Sequence, residues 1–143
     1  MISSILVSDK NRRELLQTAL NALAISMFCF AFYCIYNLFS HGVHSPFMTY
    51  LFAWPLLLVA VPAGVLYLVE PIPGPSLLTL LFWNTGTAAV TISSLLRGVF
   101  EIAGNSSLYQ QLMMCAGLVF LFIGAVLYGV GLFMRGRSIH MEP

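Results

Sequence analysis

Charge is what this 143-residue sequence has least of. Charged residues make up only 8% of the chain, six Lys and Arg against five Asp and Glu, while 59% of the residues are apolar. A soluble domain keeps its apolar residues to about half of the total, because polar and charged side chains must cover its surface. The few basic residues also form no stripe that could follow a phosphate backbone. The composition therefore excludes a nucleic-acid partner and predicts an integral membrane protein in contact with membrane lipids.

The long uncharged runs predict an all-α protein with four transmembrane helices, over residues 15–39, 47–69, 76–100 and 109–133. Each run is close to the length of about 20 residues that a hydrocarbon core of ~30 Å requires. Because the connections are short, we expect consecutive helices to pack antiparallel, in an up-down bundle that makes 1–143 a single transmembrane domain. The first run has basic residues before it and no cleavage-site pattern after it, so we expect an uncleaved first span.

Local signals predict where the first two helices begin, bend and end. Asn11 and Glu14 have the spacing of a capping box, which predicts that helix one starts after Asn11. The segment 70–75 holds three prolines and a glycine, which end helix two. Pro55 and Pro62 lie inside helix two and predict kinks, which a membrane tolerates only where other groups bond to the freed carbonyls.

The basic residues near the ends of the chain predict its orientation. They flank the first and last spans and comprise Lys10, Arg12, Arg13, Arg135 and Arg137. By the positive-inside rule both termini are cytoplasmic, and the loops 40–46 and 101–108 lie outside. We expect the protein in a bacterial cytoplasmic (plasma) membrane.

Small and polar residues recur at intervals of three and four along the third span. They form a seam on one helix face: Asn84, Thr87, Thr91, Ser94, Gly98 and Glu101. A hydroxyl or amide that faces acyl chains has no partner, so we expect this seam to face other helices or a watered cleft. The fourth span has glycines at intervals of seven, Gly117, Gly124 and Gly131. Glycine lets a second backbone approach closely, so this face is predicted to be a helix contact.

Four ionisable side chains are predicted near the outer ends of the helices: His41, His44, Arg97 and Glu101. His-x-x-His can place two imidazoles on one metal, with Glu101 as a third ligand, but no motif supplies a fourth. A second interpretation is an anion or headgroup site built on Arg97. The interpretation we favour is an Arg97–Glu101 ion pair beside solvated loop histidines.

Several kinds of chemistry lack their residues. The three cysteines, Cys29, Cys34 and Cys115, include no Cys-x-x-Cys pair, which argues against a quinone-linked disulfide-generating enzyme and favours free thiols. No histidine lies within a span, so we expect no bis-histidine haem, and the sequence identifies no cofactor. No carboxylate lies at mid-span, and Glu14 precedes the first apolar run, which argues against the small proton-coupled multidrug exporters.

The sequence thus predicts a non-enzymatic four-helix integral membrane protein. We expect it to act as a homo-oligomer or as an accessory or assembly subunit of a larger membrane complex, with a candidate ligand or ion site at the outer face. The alternative is a small transporter or channel whose substrate path is lined by the seam of the third span. A second alternative is a membrane enzyme that acts on a lipid or quinone.

Overall fold

The computed structural model describes residues 2–39, 45–69, 74–104 and 107–139, with side chains from residue 12 to residue 134. Helices and short turns make up these ranges, and no strand occurs within them. The helices are α1 (Ile2–Phe39), α2 (Pro46–Thr49), α3 (Ala53–Pro55), a π-helical turn (Leu56–Ala60), α4 (Val61–Leu68), α5 (Leu77–Ile102) and α6 (Leu108–Ile139). The all-α prediction is confirmed.

Two helices are long and apolar enough to cross a membrane. They are the parts Arg12–Phe39 of α1 and Leu108–Met134 of α6, of 28 and 27 residues. α5 is 26 residues long, but its Asn, Thr and Ser residues make it less apolar than these two. The continuous helix from Ala53 to Leu68 is apolar but shorter. Four spans and their orientation therefore stay predictions.

The predicted start of helix one is wrong. α1 begins at Ile2 and runs through Asn11 without a break, so Asn11 is an interior helical residue and not a cap. An asparagine inside a long helix costs less than about 1 kcal/mol, which the neighbouring turns readily offset. α6 likewise continues past residue 133, to Ile139. The third predicted helix begins as expected, because Ser76 caps α5 by accepting a hydrogen bond from the Thr79 amide at 3.3 Å. The starts of α2 and α6 also lie within one residue of those predicted.

The predicted second helix is divided into α2, a turn at 50–52, and the helix of α3, the π-helical turn and α4. Pro62 has no N–H, so the Leu58 carbonyl lacks its usual donor four residues on. The indole N–H of Trp83, on α5, donates to that carbonyl instead. The carbonyl that Pro62 leaves without its helical donor therefore makes the hydrogen bond to α5.

The carbonyl of Phe52, just before α3, also lacks its usual helical donor, although no proline is the cause. The Leu56 amide donates to Ala53 rather than to Phe52. Ser26 of α1 compensates, because its hydroxyl donates to the Phe52 oxygen at 2.7 Å. Both breaks in this segment are thus satisfied by side chains of the flanking helices, as a membrane interior requires.

Consecutive segments pack antiparallel, because contacts pair the beginning of one with the end of the next. α1 and the α3–α4 helix meet at Ser26 with Phe52 and at Arg12, whose guanidinium lies 4.9 Å from the centre of the Tyr67 ring. α5 and α6 meet at Ser93, which donates to the Gln110 carbonyl at 2.7 Å. In the described part of the chain, α1 packs mainly on α3, the π-helical turn and α4, while α6 packs mainly on α5. These two helices are therefore the edges of the fold.

Candidate functional site

The polar seam of α5 lies in two different environments. Ser94 and Thr87 are 0% and 5% exposed, and Gly98 is also buried. A Cβ at Gly98 would lie 3.1 Å from the Cβ of Met48, so this end of the seam packs directly on α2. Asn84, at the other end, is exposed. At Asn84 the seam therefore faces an open cleft rather than a neighbouring helix.

This polar cleft is a cavity of about 380 Å³ between α1, the π-helical region and α5. The residues that line it are Thr18, Asn21, Ala22 and Ile25 from α1, Pro55 from α3, Val59 from the π-helical turn, and Asn84, Thr87, Ala88, Thr91 and Ile92 from α5. Asn21 and Asn84 are both exposed, one on each wall. Neither amide makes a hydrogen bond to another residue with described side chains. The cleft therefore presents two amides that no described side chain satisfies.

The depth of the two amides is similar. Asn21 follows Arg12 by nine residues and Asn84 follows Ser76 by eight, and these starting points lie at the same end of the bundle because α1 and α5 run in the same direction. At 1.5 Å per helical residue, both amides lie about 12–14 Å in from that end. If the helices span a bilayer, the two amides lie well inside its hydrocarbon core.

The interface of α5 and α6 is closed by glycines. A Cβ at Gly86 would lie 2.8 Å from the Gly117 carbonyl oxygen, and a Cβ at Gly124 would lie 3.3 Å from the Trp83 backbone nitrogen. Gly131 differs from these glycines, because nothing lies within 4 Å of its Cβ position. The structure thus places Gly117 and Gly124 in the helix contact and leaves Gly131 out of it.

Arg97 and Glu101 lie together at the other end of α5. Arg97 Nε is 3.5 Å from Glu101 Oε1, and the guanidinium lies 4.0 Å from the centre of the Phe47 ring. The Ser45 hydroxyl donates to Glu101 Oε2 at 2.6 Å. Glu101 belongs to the last turn of α5 rather than to a loop. Because the two charged side chains are 40% and 39% exposed, this group joins α2 to α5 only weakly through charge.

A metal site is not assembled by the described side chains, among which no cluster of three His, Cys, Asp or Glu residues occurs. His41 and His44 lie outside the described residues, so the metal and anion sites that include them stay predictions. All three cysteines are free, and only Cys29 is buried, while Cys34 and Cys115 are exposed.

Sequence reasoning missed Asn21, Gly86 and Ser93. Asn21 could have been predicted as a candidate site residue, because it is an amide inside an apolar span, as Asn84 is. Gly86 and Ser93 lie off the seam, on the face of α5 that meets α6, and a single helical sequence carries no sign of which face its neighbour covers.

No protein-family model matches this chain, and neither a curated protein nor a solved structure matches it. The proposed function therefore rests on the sequence and the structure of this chain.

Proposed function

We propose that this protein is a non-enzymatic, four-span integral membrane protein that acts as a homo-oligomer or as an accessory subunit of a membrane complex. The distribution of polar and apolar side chains between the interior and the surface supports membrane insertion. Ser93 and Ser94 are 1% and 0% exposed, while Phe28 and Phe122 are 72% and 70% exposed. Water would favour the opposite arrangement, whereas hydrocarbon favours polar groups that face inward and large apolar groups that face outward.

In this proposal both termini are cytoplasmic, and the loop that precedes α6 lies outside the cell. The basic residues at the two ends of the sequence support this orientation. The test is a cysteine-free chain with Ser107→Cys in intact bacteria. A membrane-impermeant thiol reagent should label this variant before lysis. Labelling that requires lysis would contradict the orientation, and release of the protein by alkaline carbonate would contradict membrane insertion.

The exposed side of α6 supports the proposed association with a second copy or a partner. Ala125 and Gly129 are exposed and four residues apart, and nothing lies within 4 Å of a Cβ at Gly129. Two small residues at this spacing let membrane helices approach each other closely. Glycine costs a helix about 1 kcal/mol relative to alanine, and no described residue packs against Gly129 to offset that cost. A second copy docked through this face would use the space.

Cys115 supplies a native reporter for this contact. It is exposed and lies about four turns, or about 21 Å, before Gly129 on nearly the same side of α6. In a two-fold dimer with its axis along the membrane normal, Cys115 would approach its counterpart. With Cys29 and Cys34 replaced by alanine, a thiol-specific crosslinker should yield dimers in the membrane.

Gly129→Leu should abolish that crosslink, whereas Val130→Leu, at an exposed neighbouring position on another side of the helix, should leave it intact. Mild detergent extraction then separates the two forms of the proposal. A particle that contains only copies of this chain indicates a homo-oligomer, and one that also contains another protein indicates an accessory subunit. Monomers in both experiments would contradict it.

A small transporter or channel is the second candidate, and the polar cleft is the observation that favours it. The seam residues Asn84, Thr87 and Thr91 line this cleft, as a substrate path would require. Asn84→Leu and Thr91→Leu in liposomes test it. Altered flux with intact assembly favours transport, while lost assembly favours a cleft that receives a partner helix.

A further inference from the structure

The polar cleft has the size and composition of a small-molecule site. Its volume of about 380 Å³ falls within the range of about 300–1,000 Å³ that is typical of ligand pockets. The polar groups lie among apolar side chains of α1, α5 and the π-helical turn, such as Ile25, Ile92 and Val59. Such sites combine an apolar lining with a few polar groups that fix the orientation of the ligand.

Among the described residues, those that line the cleft include no ionisable side chain. A charged ligand would leave water for an apolar site without a counter-charge, which costs several kcal/mol or more. The cleft therefore discriminates against ions and against phosphate-bearing molecules, and it favours an uncharged ligand.

Some hydrogen-bonding groups of the cleft already have partners within their own helix, and others are available to a ligand. Three threonine hydroxyls donate to carbonyls of their own helix one turn earlier, at 2.8, 2.9 and 2.8 Å for Thr18, Thr87 and Thr91. Their protons are thus engaged, and they remain acceptors. The Asn21 and Asn84 amides can each donate and accept. A ligand that both donates and accepts would satisfy the two walls together.

We propose that this cleft binds an uncharged, membrane-dissolved molecule that carries a hydroxyl and a carbonyl group on an apolar body. Asn21 and Asn84 hold the two polar groups, and the body lies against Ile25, Val59 and Ile92. The inference rests on the proposed membrane insertion but not on the proposed dimer. Diacylglycerol has this chemistry and serves as the probe.

The experiment uses the full chain in phosphatidylcholine nanodiscs with a diazirine-tagged diacylglycerol. Phosphatidic acid with the same tagged acyl chains is the matched control lipid, since it differs by one charged phosphate. Diacylglycerol should label peptides of α1 and α5 that line the cleft, and phosphatidic acid should not. Asn21→Leu and Asn84→Leu should each reduce this labelling about three- to tenfold, the loss expected for one hydrogen bond.

Two further variants keep this result interpretable. Asn84→Gln retains an amide and should retain labelling, while Thr85→Leu alters an exposed neighbour outside the cleft and should have no effect. Equal labelling by both lipids, or labelling that ignores both asparagines, would overturn the proposal. Rapid reaction of Asn84→Cys with a charged, membrane-impermeant thiol reagent would also overturn it, because the cleft would then be an aqueous path. Carbonate extraction reports separately on membrane insertion.

Discussion

α5 packs closely on α6 along one side and faces α1 across the polar cleft on another, and the two sides differ. Toward α6, Gly86 lies against Gly117 so closely that a Cβ would be 2.8 Å from the facing carbonyl oxygen, and Ser93 donates to the backbone of Gln110. Toward α1, Asn84 stays exposed across a cavity of about 380 Å³ from Asn21. One side of the helix is closed, and the other is open.

The size of the polar side chains explains the difference. Glycine and serine let backbones approach, and a serine hydroxyl reaches a carbonyl on the facing helix without separating the two helices. An asparagine side chain is larger, and its amide needs both donor and acceptor partners, which Asn84 does not find among the described residues. On α5 the small residues therefore make a helix interface, whereas Asn84 lines a cleft.

The largest effect should come from filling the closed side. Gly86→Ala places a Cβ 2.8 Å from the Gly117 oxygen and from the Leu121 nitrogen, both of which are backbone atoms that cannot turn away. We expect a loss of about 3 kcal/mol in the free energy of unfolding, the upper range for overpacking. Unfolding by dodecyl sulfate in mixed micelles measures it. Gly64→Ala is the control, since nothing lies within 4 Å of its Cβ position, and it should gain up to about 1 kcal/mol. Equal stabilities of the two variants would show that the closed interface tolerates added volume.

The hydrogen bond from Trp83 to the Leu58 carbonyl should come next. Trp83→Phe leaves that carbonyl without a donor and should cost about 2 kcal/mol. In a Pro62→Ala background the amide of residue 62 can donate to the same carbonyl, so Trp83→Phe should cost about 1 kcal/mol less there. A double-mutant cycle in micelles measures this coupling. Additive effects would mean that the proline and the tryptophan act independently.

At the end of α5 that carries Arg97 and Glu101, we expect a smaller effect on the free energy of unfolding. Ser45→Ala removes the 2.6 Å hydrogen bond to Glu101 and should cost about 1 kcal/mol, a charge-assisted bond discounted for the 39% exposure of the carboxylate. Glu101→Gln keeps an acceptor for Ser45 but removes the ion pair with Arg97, and should cost less, with a loss that shrinks at high salt. A greater loss for Glu101→Gln would show that charge is the main link between α2 and α5.

The smallest stability effect should be on the open side. Asn84 makes no hydrogen bond to the described chain, so Asn84→Leu should change the free energy of unfolding by no more than about 0.5 kcal/mol. Ser93→Ala, on the closed side, should lose about 1 kcal/mol with its bond to Gln110. If Asn84→Leu were the more damaging of the two, the cleft would be a packed contact.

Much of the fold could be predicted from particular residues. The uncharged runs predicted helices at nearly their observed places, and Ser76 and the prolines of 70–75 marked the start of α5 and the limit of α4. The capping pattern at Asn11 failed, because a cap operates only where the chain before it leaves the helix. At the candidate site, spacing grouped Asn84 with Thr87 and Thr91, and those three do share one cavity wall. Spacing could not identify Asn21 as the facing residue, since periodicity describes one helix at a time.

The sequence by itself determined that this protein is helical and apolar enough for a membrane, since both properties follow from composition and run length, which are local. It also determined which residues share a helix face, because the helical repeat is the same everywhere. Only the tertiary structure decided that Gly86 meets Gly117 while Asn84 meets open space. That outcome depends on which helix covers which face and how closely, and close approach is a property of two surfaces together, so neither helix contains it alone.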